Sequence, residues 1–216
     1  MRAVIVAVAL LLVPMAARAG APQFGFQSWF GGFDKANLQV GFATYEANCA
    51  RCHGLSQVSP DQFQSLGLTP SEVATVLAKG KAATKPPPNP AANAAVAGDL
   101  SLYVAGHRHG AAAVFDLLTG YRPALPNMNL LPGHYYNIAY PGGQIAMAPA
   151  LKPGSVMLAD GKAASVPAMA HDVAAFLAWT SDPTLDERKA TGLRAILFLL
   201  VFGVVGFLMM ITRKTP

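Results

Sequence analysis

The only two cysteines of this 216-residue chain stand three apart and are followed at once by a histidine, Cys49-Ala50-Arg51-Cys52-His53. That spacing is the attachment signature of a c-type haem. Two thiols three residues apart at the end of a helix reach the two vinyl groups of one porphyrin edge, and the adjacent His53 swings beneath the ring to bind iron axially. A chain carrying this motif folds around a flat prosthetic group, so its own elements supply only part of the core. The alternatives are a disulfide between Cys49 and Cys52 and a zinc site. A thioredoxin-like oxidoreductase would set the pair among alternating strands and helices, a pattern little represented here. Zinc needs further ligands at suitable spacing, and His107 and His109 have no second cysteine pair to join them.

Two apolar runs bracket the motif. Arg2, the run 3–13 and Ala17-Arg18-Ala19 have the layout of a secretory signal, predicting residues 1–19 as a cleaved peptide and a mature chain from Gly20. Ala195 to Ile211 is seventeen residues without a charge or a polar face. As a helix it is about 26 Å long, close to the hydrocarbon thickness of a bilayer. The sequence therefore predicts an exported domain over 20–190, an anchor over 191–212 and a cytoplasmic tail over 213–216. Arg188, Lys189 and Arg194 precede the span and only Arg213 and Lys214 follow it, so a bare count of positive charge opposes this orientation. The cleavable signal overrides that count by exporting everything ahead of the stop-transfer segment. A bacterial inner membrane, crossed once, with the haem domain on the periplasmic side, is the expected location.

The formal charge of +5 does not indicate a nucleic-acid binder. Five of the 16 basic residues lie in or beside the apolar ends, which leaves 11 between Gly20 and Lys189 against all 11 acidic residues. The body is neutral and has no basic stripe.

Apolar spacings predict a helix from Asp34 through Leu38, Phe42, Tyr45, Cys49 and Cys52 to a stop at Gly54. Others are expected over Ser71–Lys79, capped by Ser71 and ended by Gly80, and over Ser101–Val104, Ala111–Leu118 and Ala168–Thr180. Residues 81–98 read as an extended Ala, Pro and Asn-rich loop, 121–153 as irregular structure, and Asp160-Gly161 as a hairpin turn. The fold class is mainly α. Gly41 lies on the apolar side of the first helix, where glycine costs about 1 kcal/mol against alanine. Close crossing by the helix carrying Phe176 and Trp179 would offset that cost.

The sixth position on the iron falls to Met, His or an open site. Met169 and Met157 read as core, Met147 stands in a loop with no helical reason for a large apolar side chain, and Met128 remains a second candidate. His107, His109, His134 and His171 read as surface or core residues.

Phe33-Asp34-Lys35, Leu38-Gln39, Gly41 and Tyr45 precede the haem motif, and Asp99-Leu100-Ser101-Leu102, Arg108-His109-Gly110 and Leu118-Thr119-Gly120-Tyr121 follow it. Tyr136-Asn137, Tyr140-Pro141-Gly142 and Ile145-x-Met147 come next, then Asp172-Val173, Phe176-Leu177, Trp179, Asp182-Pro183 and Arg188-Lys189 ahead of the anchor. In this order the pieces resemble cytochrome c1, the haem subunit of the cytochrome bc1 complex. The resemblance implies a cytochrome c-like haem domain with long irregular loops and a single covalent haem c, held by Cys49, Cys52 and His53. It further implies His53 and Met147 as the iron ligands and Arg108 as the partner of a haem propionate.

The function so implied is electron transfer in a quinol–cytochrome c reductase, from the Rieske iron–sulfur protein to a cytochrome c, beside a cytochrome b that oxidises the quinol. No residue of this chain then acts as acid, base or nucleophile. A free-standing membrane-tethered carrier to a terminal oxidase is the alternative, and a haem sensor or peroxidase with an open iron site is a third. The chain departs from the family in having Ala97-Gly98 where Pro-Pro is usual, predicting a looser loop at the haem edge, and Ile138-Ala139 in place of Pro-Tyr. The neutral body also argues against strong electrostatic steering of a basic acceptor.

Overall fold

The computed structural model describes residues 22–82, 98–107, 109–158 and 161–213. The expected signal peptide, most of the 81–98 loop, Arg108 and Asp160 lie outside these residues.

Helix α1 spans Lys35–Asn48 and opens at Asp34, whose carboxylate accepts from the amides of Ala36 at 2.8 Å and Asn37 at 3.2 Å. It buries Leu38, Gly41, Phe42, Thr44 and Tyr45 on one face. The helix ends earlier than its apolar pattern implied. The Tyr45 carbonyl accepts from the amides of both Cys49 and Ala50, which widens the last turn and puts the haem motif beyond the helix.

Helix α2, Pro60–Ser65, is not anticipated by apolar spacing, being too short to show a period. Its signal is a capping box: Ser59 Oγ accepts from the Gln62 amide and the Ser59 amide donates to Gln62 Oε1. Helix α3 spans Pro70–Ala82, running through Gly80. Its cap is Thr69 rather than Ser71, since the Glu72 amide donates to Thr69 Oγ1 while the Thr69 amide and hydroxyl both donate to Glu72. Short α4, Tyr103–Gly106, starts two residues later than expected, and α5 spans Gly110–Thr119.

The stretch after α5 is irregular apart from strands β1, Tyr135–Tyr136, and β2, Gln144–Ile145. They pair antiparallel with Tyr135 opposite Ile145. Fully buried Asn137 joins this lobe to the helices: its Nδ2 donates to Leu117 O at 2.7 Å and its Oδ1 accepts from the Ala139 amide. A bridge between Met157 and Ala163, with Gly161 at φ +77°, closes a turn at the expected place. Met157 itself is 60% exposed, so the alternating pattern there did not mark core.

Helix α6, Val166–Ser181, is the hub, packing against α1, α4 and α5. Val173, Phe176, Leu177 and Thr180, which stand at helical spacing, are buried, but so is every residue from Val173 to Thr180, because neighbours surround the helix. Helix α7, Leu185–Thr212, is continuous from the edge of the domain through the whole apolar run and begins ahead of the expected anchor boundary. Its apolar side chains are exposed, and it is long and apolar enough to cross a membrane.

At the crossing of α1 and α6, a β-carbon on Gly41 would stand 2.2 Å from Asp172 O and 2.8 Å from Phe176 Cβ. The helix backbones therefore touch, and Phe42, Tyr45, Phe63, Phe176 and Trp179 close around the contact with ring centroids 5.8–6.3 Å apart. Gly41→Ala should lose about 1–3 kcal/mol through overpacking, more than the helix propensity of alanine returns. Denaturant unfolding followed by circular dichroism measures it, and a variant as stable as the parent would contradict the contact.

Candidate functional site

The haem motif leaves α1 in a tight turn, with the amides of Cys52 and His53 both donating to Cys49 O. Two bonds then set His53. The buried Tyr45 hydroxyl donates to the His53 carbonyl at 2.6 Å, and His53 Nδ1 lies 2.9 Å from Gly98 O. A carbonyl oxygen only accepts, so Nδ1 carries the hydrogen and Nε2 presents its lone pair. That is the tautomer a metal-binding imidazole needs, with its plane held by the bond on the far nitrogen.

The segment supplying Gly98 is stitched to the chain after His53. Asp99 accepts from the Ser56 amide at 2.7 Å and from the Ser101 amide at 2.8 Å, and Ser101 Oγ accepts from the Gln57 amide. The Leu100 amide donates to Gly54 O, and Ser181 at the end of α6 donates its hydroxyl to Ser101 O. Residues 98–101 are thus held by hydrogen bonds to the chain after His53 and to α6. Burial pushes the Asp99 carboxyl up, but the bonds from Ser101 and Ser56 outweigh it and the pKa falls below its ordinary value.

Cys49 and Cys52 are both free thiols. Burial, then the neighbouring Cys52, pushes the Cys49 pKa up to about 12. Reactive cysteines of disulfide oxidoreductases are shifted the other way, toward thiolate, so this environment does not fit that chemistry. Burial also raises the Tyr45 phenol well above its usual range, with Cys49 and Asp99 adding to the effect, which keeps it a hydroxyl donor. Two free thiols and an imidazole with Nε2 available fit a covalent haem.

The methionines separate by their surroundings. Met169 is fully buried and its sulfur accepts from Ser155 Oγ at 3.3 Å. Met157 is exposed. The end of Met128 lies by the backbone of Gly143, beside the Tyr136 ring. Met147 is half-buried in the loop after β2, and the Tyr121 hydroxyl donates to its carbonyl at 2.9 Å, tying that loop to the end of α5.

Three of the remaining histidines face backbone. His107 Nδ1 lies 2.7 Å from Tyr103 O, His134 Nδ1 3.2 Å from Pro132 O, and His171 stacks on Phe24 with Nε2 3.3 Å from Gln23 O.

Cys49, Cys52 and His53 thus share one turn, Met147 belongs to the irregular lobe, and Arg108 is outside the described residues. Motif reading did not assign roles to Tyr45, Gly98, Asp99 or Tyr121. An Asp two residues before a Ser, in a loop, is the available signal for Asp99, since that spacing favours side-chain capping of nearby amides.

Asp99→Asn should weaken the 98–101 stitching. Because the folded pKa of Asp99 is lowered, its contribution is present above the ordinary carboxylate range and lost as pH falls through the folded value. The stability gap between parent and variant, read by denaturant unfolding, should be widest near pH 7 and shrink below about pH 4. A gap unchanged down to pH 3 would contradict this.

Comparison with known proteins places these features in context. The profile of the Cytochrome C1 family matches residues 24–92 and 85–215. The chain is 33% identical to "Cytochrome c1-2, heme protein, mitochondrial" of Solanum tuberosum, over 77% of this chain and 74% of that protein. It is 36% identical to "Cytochrome b-c1 complex catalytic subunit, mitochondrial" of Candida albicans, over 77% and 67% respectively. With "Cytochrome c1, heme protein" of Euglena gracilis the identity is 33%, over 82% and 83%. Some mitochondrial relatives are longer, the matched region being 60 to 62% of their length.

Proposed function

The chain belongs to the cytochrome c1 family, and from that premise we propose that it binds one covalent haem c and relays single electrons as the haem subunit of a quinol–cytochrome c reductase. The observation that carries the reading is the His53 imidazole, held through Nδ1 by Gly98 O in the turn that also bears both free thiols. Bound haem supplies reversible one-electron chemistry at iron. Everything else falls to the residues. Cys49 and Cys52 would hold the ring edge through their thiols, and His53 Nε2 would ligate the iron.

Met147 is the second ligand in this reading. The Tyr121 hydroxyl bond fixes its backbone, whereas the Met169 sulfur is engaged with Ser155 inside the core. A thioether from Met147 beside the His53 imidazole would favour ferrous iron and raise the potential. Arg108, which lies outside the described residues, would pair with a propionate, as the family resemblance implies.

The electron arrives from a Rieske iron–sulfur protein and leaves to a cytochrome c, with cytochrome b as the quinol-oxidising neighbour. The name of the Candida albicans relative, a cytochrome b-c1 complex subunit, supports this context. Helix α7 is the single membrane span, and the haem domain lies on the periplasmic side of a bacterial cell membrane once a signal over 1–19 is removed. Purification from native membranes tests the assembly: haem c, cytochrome b and an iron–sulfur centre should copurify. Recovery of a cytochrome free of cytochrome b would favour the tethered carrier instead.

Cys52→Ser should leave haem singly attached or lost, because a hydroxyl does not add to the vinyl group as a thiol does. Haem staining of denaturing gels should lose much of its band, and an unchanged band would refute attachment at Cys52.

Met147→Leu keeps volume and apolarity, so packing should change by less than about 1.5 kcal/mol, while the thioether is lost. The reduction potential should fall and the ferrous protein should bind carbon monoxide. An unchanged potential without carbon monoxide binding, with Met128→Leu producing both effects, would move the ligand to Met128.

A further inference from the structure

The segment ahead of α1 is fastened to the first turns of α7. The Lys189 ammonium donates to three backbone carbonyls, Phe26 O at 2.5 Å and Ser28 O and Gly31 O at 2.8 Å each. One turn earlier, Asp186 accepts from the Phe33 amide at 3.2 and 3.3 Å. The loop is also tight in itself: a β-carbon on Gly31 would stand 1.9 Å from Gly25 O. Its tip, between the two carbonyls that Lys189 holds at Ser28 and Gly31, is Trp29-Phe30, and both side chains are 88% exposed.

We propose that Trp29 and Phe30 form a second membrane contact of the haem domain, seated in the headgroup layer of the bilayer that α7 crosses. The proposal rests on α7 being a membrane span. From Phe33 at Asp186 to Ser28 and Gly31 at Lys189, the loop descends the helix toward the apolar run. Lys189 is six residues before Ala195, about 9 Å along the axis at 1.5 Å per residue.

The 17-residue apolar run is about 4 Å shorter than a hydrocarbon core of about 30 Å, which brings the core edge about 2 Å nearer on each side. Lys189, to which the tip is pinned, then lies about 7 Å above hydrocarbon, against a headgroup layer of about 5–8 Å per leaflet. Tryptophan concentrates in that layer, where its ring is part apolar and its N–H stays hydrated. Two fully presented aromatics on a rigid turn beside a span have a lipid surface as their matching partner.

The chain's other tryptophan, Trp179, is 5% exposed in the core, so Trp29 is readable by difference. The full haem-loaded chain and its Trp29→Ala variant are placed in phosphatidylcholine vesicles, and emission is quenched by bromine on the upper acyl chain or by aqueous iodide. The component missing from Trp29→Ala should lose most of its intensity to bromolipid and little to iodide. In Lys189→Met the tip is released, and that component should become iodide-accessible. Both proteins should float with vesicles after alkaline carbonate treatment.

A floating chain whose Trp29 emission is quenched by iodide and untouched by bromolipid overturns the headgroup contact alone. A chain that carbonate strips from the vesicles overturns the span, and this proposal with it.

Discussion

The placement of His53 depends on the backbone contact at Gly41. With no side chain at that position, α1 comes down onto the Asp172 carbonyl of α6, and the aromatic rings of both helices close over the crossing. Tyr45 is one turn beyond the contact and fully buried. Its hydroxyl therefore points with little freedom at the His53 carbonyl. Helix packing thus becomes placement of His53 through one rigid side chain, and the widened turn at Cys49 and Ala50 frees Cys52 and His53 from the helix.

A second layer of control comes from polar groups. Gly98 O sets the His53 tautomer, Asp99 and Ser101 hold the strand of chain that carries it, and Ser181 ties that strand back to α6. The Met147 side is organised separately, through Tyr121 and buried Asn137, both acting at the end of α5. The two sides of the proposed iron site therefore hang on different helices that share one neighbour, α6. A cofactor between them would join the two halves, consistent with the small share of regular structure in the 121–153 lobe.

The charged residues at the head of α7 have a structural task as well as a topological one. Lys189 is satisfied by carbonyls and Asp186 by an amide, while Arg188 pairs with Asp182 at 2.6 Å. Two of the three basic residues just ahead of the apolar run, Arg188 and Lys189, thereby have protein partners, which eases the conflict between the charge count and the proposed exported domain.

Several features were legible from the residues alone because each depends on local chemistry: the Cys-x-x-Cys-His motif on thiol spacing, the long C-terminal helix on uninterrupted apolarity, α1 and α6 on apolar spacing, whereas their caps at Asp34 and Ser165 emerge only in the structure. The glycine at 41 announced a close crossing because nothing else offsets its cost in a helix. Tertiary structure decided the rest. Helix α2 rests on a capping box and one buried Phe63, too few residues to show a period. Met157 alternates like core yet faces out, since a two-residue bridge has no second layer to bury it. The roles of Gly98, Asp99 and Tyr121, and the fastening of 26–33 onto Lys189, join residues far apart in the chain through backbone carbonyls and amides. Every residue type carries those groups, so no side-chain pattern could have shown where they would meet.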